Sequence, residues 1–187
     1  MDKYQNKYRI STIRMQEWNY GWDAAYFITI CSKNNHCYFG EVLEGEMKLS
    51  NIGVLADVVW YEIPNHANNV ELGPFVVMPN HIHGVIILHG NNSVSKKNDQ
   101  KESKTDIPIG KTRFQAQGKN TVSSIIGSYK SAVTKHARRM GYDFAWQPRF
   151  YDHIIRDKES YDRIAQYIVI NPQKWDQDKY NTCDPSS

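Results

Sequence analysis

The segment 75–88 places the strongest constraint on how this chain folds. It consists of two runs rich in β-branched residues, separated by Met-Pro-Asn at positions 78–80. Runs of this kind, interrupted by a proline, are typical of β-strands. His81 and His83 open the second run, and side chains two residues apart in a strand project from the same face. The segment therefore predicts two consecutive strands, the second beginning with a pair of neighbouring imidazoles.

The imidazole pair has two interpretations. Neutral imidazole is a common ligand of divalent metal ions, so His81 and His83 could share one ion. A His-x-His pattern is short, however, and both residues could equally be ordinary polar side chains at the end of a strand. The choice depends on whether the rest of the chain supplies the other parts of a metal-dependent site.

The rest of the chain alternates strand and helix patterns in an order typical of α+β proteins. In the first half, the predicted elements are a strand at 25–31, extended pieces at 37–39 and 46–49, a helix from a Ser50 N-cap to Pro64, and strands at 70–78 and 81–88. In the second half, they are a helix from an Asn120 or Thr121 cap to Gly141, a short extended piece within 146–156, and a helix from near Lys158 to Pro172. This order predicts a sandwich in which helices pack on an antiparallel sheet.

Length and composition predict one domain with three irregular regions. The 187 residues suffice for a single core, and 40% hydrophobic with 23% charged residues is typical of a soluble globular protein. The irregular regions are an N-terminal arm at 1–24, a mobile polar loop at 89–118 and a frayed tail at 176–187. The sequence contains no apolar signal core and no membrane-spanning run, so we expect a cytoplasmic protein without a membrane partner. Its three cysteines are expected to be reduced packing residues.

Positive charge is concentrated in the segment 119–156. This segment holds seven Lys or Arg and two Asp, a net charge of +5, whereas the whole chain carries +3. Cations on one surface can neutralise the phosphates of a nucleic acid, although most charge runs simply form a solvated helix face. The aromatic residues interleaved with these cations favour a surface that binds a single strand. The predicted DNA-binding residues are Lys130, Lys135, Arg138, Arg139, Arg149, Phe150, His153 and Arg156.

Tyr167 is the candidate nucleophile of the predicted metal site. On the last helix it lies away from the middle of the apolar stripe formed by Tyr161, Ile164 and Ile168, so its hydroxyl is available for chemistry. A phenol is a poor nucleophile at neutral pH, but a neighbouring divalent cation would stabilise its phenolate and polarise a phosphoryl oxygen. Tyrosine can form a covalent phosphoester that divides strand exchange into two steps. The chain has twelve tyrosines, so spacing alone leaves rivals for this role.

Three motifs follow one another in a fixed order along the chain. They are Met-Pro-Asn-His-Ile-His-Gly at 78–84, Trp-Gln-Pro-Arg-Phe-Tyr-Asp-His-Ile-Ile-Arg at 146–156, and Tyr-Ile-Val-Ile-Asn-Pro at 167–172. The first resembles the HUH motif of single-tyrosine transposases, in which two histidines flank a bulky hydrophobic residue. All three, in this order and at this separation, resemble the signatures of the REP-associated tyrosine transposases. The resemblance covers roughly residues 26–175.

The resemblance implies a fold, a metal site and a reaction. The fold is a ferredoxin-like α+β sandwich, the HUH endonuclease fold. His81 and His83 are implied as ligands of Mg²⁺ or Mn²⁺, and Asn171, one turn after the nucleophilic Tyr167, as the residue that completes the site. The implied reaction cuts single-stranded DNA near an imperfect hairpin and leaves a 5′-phosphotyrosine and a free 3′-hydroxyl. The expected partner is therefore single-stranded DNA with hairpin or repeat structure, in the bacterial cytoplasm or nucleoid.

Three alternatives stay open at this point. Relatives differ in assembly, so the chain could form a homodimer in which Tyr167 acts on the partner's histidines. A domesticated protein could bind DNA hairpins without cutting them. A relaxase or replication initiator shares the paired histidines, but the small size and the lack of a helicase or multi-tyrosine region favour the transposase.

Overall fold

The computed structural model describes residues 24–89 and 121–181, together with the backbone of two short strands near the N-terminus. The strands are β1 (Lys3–Tyr4), β2 (Lys7–Tyr8), β3 (Ala24–Cys31), β4 (Gly40–Leu43), β5 (Glu46–Leu49), β6 (Val70–Val77), β7 (His81–Leu88) and β8 (Tyr151–Ile155). The α-helices are α1 (Asn51–Tyr61), α2 (Ile63–His66), α3 (Val122–Arg139) and α4 (Lys158–Ile170). Most of the predicted arm 1–24 and nearly all of the predicted loop 89–118 lie outside the described residues, as does the end of the predicted tail.

A four-stranded antiparallel sheet organises the described residues. Its strand order is β6-β7-β3-β8, so β7 and β3 occupy the centre. Strands β4 and β5 form a separate hairpin, and β1 pairs with β2. Helices pack on this sheet, which confirms the predicted α+β sandwich with a central antiparallel sheet.

The larger core lies between one face of the sheet and helices α1 and α3. Ile28 of β3 and Ile82 of β7 pack there with Trp60 of α1 and Tyr129 of α3, all of them buried. The Tyr129 hydroxyl donates to the Ala56 carbonyl at 2.8 Å, which satisfies the one polar atom of that side chain. Both helices begin as predicted, because Ser50 and Thr121 accept hydrogen bonds from backbone N–H groups of the first turn.

The opposite face of the sheet is covered by α4 and holds a smaller apolar cluster. Val85 of β7 and Ile155 of β8 pack there against Ile168 of α4. Because side chains alternate along a strand, His81 and His83 share the face of Val85. The last helix and the paired imidazoles therefore lie on the same side of the sheet.

A few boundaries and one cysteine differ from the predictions. Helix α1 ends at Tyr61, and Pro64 lies near the start of the next helix rather than ending the first. Cys31 is buried and free as expected, whereas Cys37 is disulfide-bonded. The prediction of reduced thiols is therefore wrong for Cys37, since cysteine spacing does not determine connectivity. No helix among the described residues has the length and apolar character needed to cross a bilayer.

Gly84, which follows the paired histidines, lies beneath a stacked aromatic pair. The Trp60 and Phe75 rings stack with centroids 4.5 Å apart, and a Cβ at Gly84 would overlap the Trp60 indole. We expect Gly84→Ala to lower the free energy of unfolding by roughly 1–3 kcal/mol in urea denaturation, because a buried indole has no room to move. Gly127→Ala is the matched control: its Cβ would meet nothing within 4 Å, so on α3 it should raise stability by up to about 1 kcal/mol. Equal effects of the two substitutions would contradict this packing.

Candidate metal and nucleophile site

The imidazoles of His81 and His83 lie side by side at the start of β7. Both side chains are buried, and their ring centroids are 4.5 Å apart. Burial, assisted by the positive charge of Lys179, lowers the pKa of His81 to about 3. Burial and the neighbouring His81 hold the pKa of His83 well below its usual value. Both rings are therefore neutral at neutral pH, which is the form that binds metal.

Asn80 fixes which nitrogen of His81 is available. The Asn80 Nδ2 atom donates to the backbone carbonyls of Asn35 at 3.1 Å and Tyr180 at 2.7 Å, which defines the orientation of the amide. Asn80 Oδ1, an acceptor only, lies 2.9 Å from His81 Nδ1, so that nitrogen carries the proton. Nε2 of His81 therefore keeps its lone pair, and it is buried without a hydrogen-bond partner among the described residues. An outer hydrogen bond of this kind is typical of metal-binding histidines.

Asp178 supplies a carboxylate beside the two imidazoles. Ligand atoms of His81, His83 and Asp178 all lie within 4.8 Å of one another. Asp178 is held in place by the Tyr180 backbone N–H, which donates to Oδ1 at 2.7 Å, and by the Asn171 amide, which donates to Oδ2 at 3.3 Å. Two imidazole nitrogens and a carboxylate oxygen suit a divalent ion such as Mn²⁺. The group can therefore hold a metal ion.

Asn171, the ligand implied by the family resemblance, lies next to this group. It caps the C-terminus of α4, is buried, and its Oδ1 has no hydrogen-bond partner among the described residues. His81 Nε2 and Asn171 Oδ1 are thus two buried acceptors of the kind that coordinate divalent ions, so the donor set fits a metal. Asp178 carries no sequence signal, because it follows Pro172 in a segment without periodicity and falls within the tail 176–187 that is predicted to fray.

Tyr167 brings its hydroxyl to the same place. This hydroxyl lies 3.2 Å from His83 Nε2 of the same chain, and the side chain remains 37% exposed. Its ring meets the Phe27 ring edge to face, with centroids 6.1 Å apart. Burial and the Asp178 carboxylate raise the pKa of Tyr167, so the phenol is protonated at neutral pH. Tyr161, by contrast, packs against the smaller apolar cluster, as the helical spacing predicts.

The predicted DNA-binding residues are mostly exposed, and two of them differ from the rest. Lys135, Arg138, Arg139, Arg149, His153 and Arg156 are exposed. Lys130 is half-buried and donates to the carbonyls of Gln147 at 2.7 Å and Arg149 at 2.8 Å, so it supports the loop after α3. Phe150 is half-buried against the larger core, whereas its neighbour Tyr151 is exposed. Lys130, Lys135 and Arg138 also line an open groove of about 510 Å³ on α3.

Comparison with known proteins indicates the family and the fold to which this chain belongs. No model of a known protein family matches the sequence. An uncharacterised protein of Haemophilus influenzae is 37% identical over 172 residues, which cover 90% of this chain and 91% of that protein. In structure, the chain is similar to a REP-associated tyrosine transposase bound to a REP hairpin, with a TM-score of 0.54 and 20% identity over 87% of this chain and 74% of the other. A candidate transposase from Deinococcus radiodurans gives a TM-score of 0.43 and 13% identity over 83% and 95% of the two chains.

The structural match confirms the resemblance that the three sequence motifs carry, at the level of the fold. The Haemophilus influenzae protein is similar enough in sequence, over nearly the full length of both chains, to define a family. The chain therefore belongs to one family with that protein and has the fold of a REP-associated tyrosine transposase.

Proposed function

We propose that the protein is a metal-dependent single-stranded DNA transposase that nicks and rejoins strands at hairpin or repeat sequences. One observation carries this proposal: the Tyr167 hydroxyl lies 3.2 Å from Nε2 of His83, one of two buried, neutral imidazoles grouped with a carboxylate. A nucleophile beside a metal-binding group suits phosphoryl transfer to a tyrosine, because a bound ion can activate the nucleophile and polarise the phosphoryl group.

Tyr167 is the proposed nucleophile. Its oxygen attacks the phosphorus of a DNA phosphodiester, the bond from phosphorus to the 3′-oxygen breaks, and the strand leaves with a free 3′-hydroxyl. The phenol proton passes to solvent, which the partly exposed side chain contacts, and the 3′-oxygen takes a proton in turn. One phosphodiester replaces another, so the later attack of a 3′-hydroxyl on the phosphotyrosine reseals DNA without a nucleotide cofactor.

His81, His83 and Asp178 would hold Mg²⁺ or Mn²⁺, with the Asn171 oxygen beside them. When bound, such an ion stabilises a phenolate and polarises a phosphoryl oxygen. Neighbouring residues fix the orientation of the two imidazole rings: Asn80 Oδ1 accepts a hydrogen bond from His81 Nδ1, and the Thr29 hydroxyl lies 2.9 Å from His83 Nδ1. Because Tyr167 reaches the histidine of its own chain, the geometry favours action within one protomer over an obligatory homodimer.

The proposed partner is single-stranded DNA that carries a hairpin. A REP hairpin is what the structurally similar transposase binds. In this chain, the exposed cations of α3, of the following loop and of the end of β8 would contact phosphates, which makes the affinity depend on salt. Lys130 is not one of these phosphate-binding cations, because its ammonium group donates two of its three hydrogen bonds to carbonyls within the protein.

A covalent protein–DNA adduct tests the proposal. Labelled hairpin oligonucleotides from repeats flanking the coding region would be incubated with the protein and Mn²⁺, then separated on a denaturing gel. We expect a slowly migrating protein–DNA band that does not form when a chelator is present from the start of the incubation. Saturable, salt-sensitive binding without an adduct under any divalent metal would contradict transposase activity and favour a hairpin-binding protein that does not cut.

A further inference from the structure

A second cavity opens next to the nucleophile, on the edge of the sheet formed by β8. It has a volume of about 530 Å³, within the range of roughly 300–1,000 Å³ that is typical of small-ligand pockets. We call it the β8 groove. Its lining includes Phe27, Thr29, Tyr151, His153, Lys179 and Tyr180.

Three residues of the β8 groove also contact the paired histidines. The Phe27 ring lies with its centroid 5.1 Å from that of His83, and the Tyr180 ring lies 4.6 Å from that of His81. The Thr29 hydroxyl is 2.9 Å from His83 Nδ1. The groove therefore shares its inner wall with the site of the proposed chemistry. Since the Phe27 ring contacts Tyr167 as well, the groove is adjacent to the position at which Tyr167 would attack a phosphate.

The lining of the β8 groove suits one unpaired nucleotide. Tyr151 on its outer side is 51% exposed and offers an aromatic face to the groove, whereas the half-buried rings of Phe27 and Tyr180 form its inner wall. Aromatic faces bind unpaired bases by stacking. Lys179 lies with Nζ 4.8 Å from the Tyr180 ring centroid and is exposed, so its charge can meet a backbone phosphate. The exposed side chain of His153 can form a hydrogen bond with the edge of a base.

We propose that the β8 groove binds one unpaired DNA base adjacent to the phosphate that Tyr167 attacks, an assignment that rests on the proposed function for the position of that phosphate. A paired base is stacked between its neighbours and offers no free face, so the groove selects single-stranded DNA. It would thereby hold the strand next to the scissile bond, while the exposed cations contact phosphates elsewhere.

The test separates base contacts from phosphate contacts. Binding of a fluorescent oligothymidylate would be compared with that of an abasic chain of equal length and charge, by anisotropy at fixed salt with a chelator present. The wild type should bind oligothymidylate about tenfold more tightly, equivalent to about 1.4 kcal/mol. Tyr151→Ala should bind both chains equally. Tyr61→Ala, which removes an exposed tyrosine from α1 on the opposite side of the sheet, should keep the full preference.

Two results would overturn the inference. One is equal binding of the two chains by the wild type. The other is an unchanged preference in Tyr151→Ala, provided that its circular dichroism and thermal unfolding match those of the wild type. A covalent adduct without any base preference would contradict base binding in the β8 groove and would still support transposase activity. If Tyr151→Ala abolishes a base preference but the wild type forms no adduct, base binding in the β8 groove is supported and transposase activity is contradicted.

Discussion

Tyr167→Phe is expected to abolish the covalent protein–DNA adduct and to leave the affinity for the hairpin close to that of the wild type. The substitution removes only the attacking oxygen and keeps the ring that packs edge to face on Phe27. Loss of a nucleophile lowers turnover by about 10⁴-fold or more in enzymes that form covalent intermediates. The measurement is the rate of adduct formation with Mn²⁺ on a denaturing gel, beside the dissociation constant for the same hairpin with a chelator present.

Tyr161→Phe is the matched control for this experiment. Tyr161 lies on the same helix, but it packs against the smaller apolar cluster and is not grouped with the histidines. The control should form the adduct at the wild-type rate. An adduct that persists in Tyr167→Phe would reject Tyr167 as nucleophile, and peptide mapping would then test Tyr180, whose ring lies 4.6 Å from that of His81.

The parts of the site that sequence predicted are those set by local periodicity. The two-residue spacing of His81 and His83 on a strand places both rings on one face, and the structure has them 4.5 Å apart. Helical spacing separated Tyr161, which packs in the core, from Tyr167, which is partly exposed next to His83. The side-chain caps of α1 and α3 were also predictable from sequence, because a cap involves only residues within one turn.

The parts that sequence missed depend on contacts between distant segments. Asn80 and Tyr180 are one hundred residues apart, yet a 2.7 Å hydrogen bond joins them and helps to bring Asp178 to the histidines. No pattern within either segment encodes that contact. Lys130 is among the predicted DNA-binding residues because positive charge is concentrated in the segment 119–156. It instead donates to carbonyls of a loop that folds back over it, and burial lowers its pKa.

The ligands of the metal site come partly from the family resemblance and partly from the structure. The family resemblance implied Asn171 as the residue that completes the pair of histidines, and the structure adds Asp178 within 4.8 Å of them. Asn171 donates to Asp178, and its Oδ1 has no partner within the described ranges 24–89 and 121–181, so it can act as a ligand, as a support for the carboxylate, or as both. Substitutions at the two positions distinguish these roles, because only Asp178 carries charge.

His83→Ala is expected to remove measurable Mn²⁺ binding in isothermal titration calorimetry, and with it adduct formation. Asp178→Asn should weaken Mn²⁺ binding by roughly 10–100-fold, since the amide keeps the shape of the side chain and loses the charge that draws the cation. If Asn171 only supports Asp178, Asn171→Ala combined with Asp178→Asn should be no weaker than Asp178→Asn alone. A double variant weaker by the sum of both losses would make Asn171 a ligand in its own right.

The control for these variants is His153→Ala, which removes an exposed imidazole from β8. It should leave Mn²⁺ affinity unchanged. All the metal-site variants should still bind hairpin DNA with a wild-type dependence on salt, because the cations proposed to contact phosphate lie on α3, on the following loop and at the end of β8. Unchanged Mn²⁺ affinity in a folded His83→Ala protein would show that the paired imidazoles do not hold the ion. The proximity of Tyr167 to His83 would then have no bearing on phosphoryl transfer.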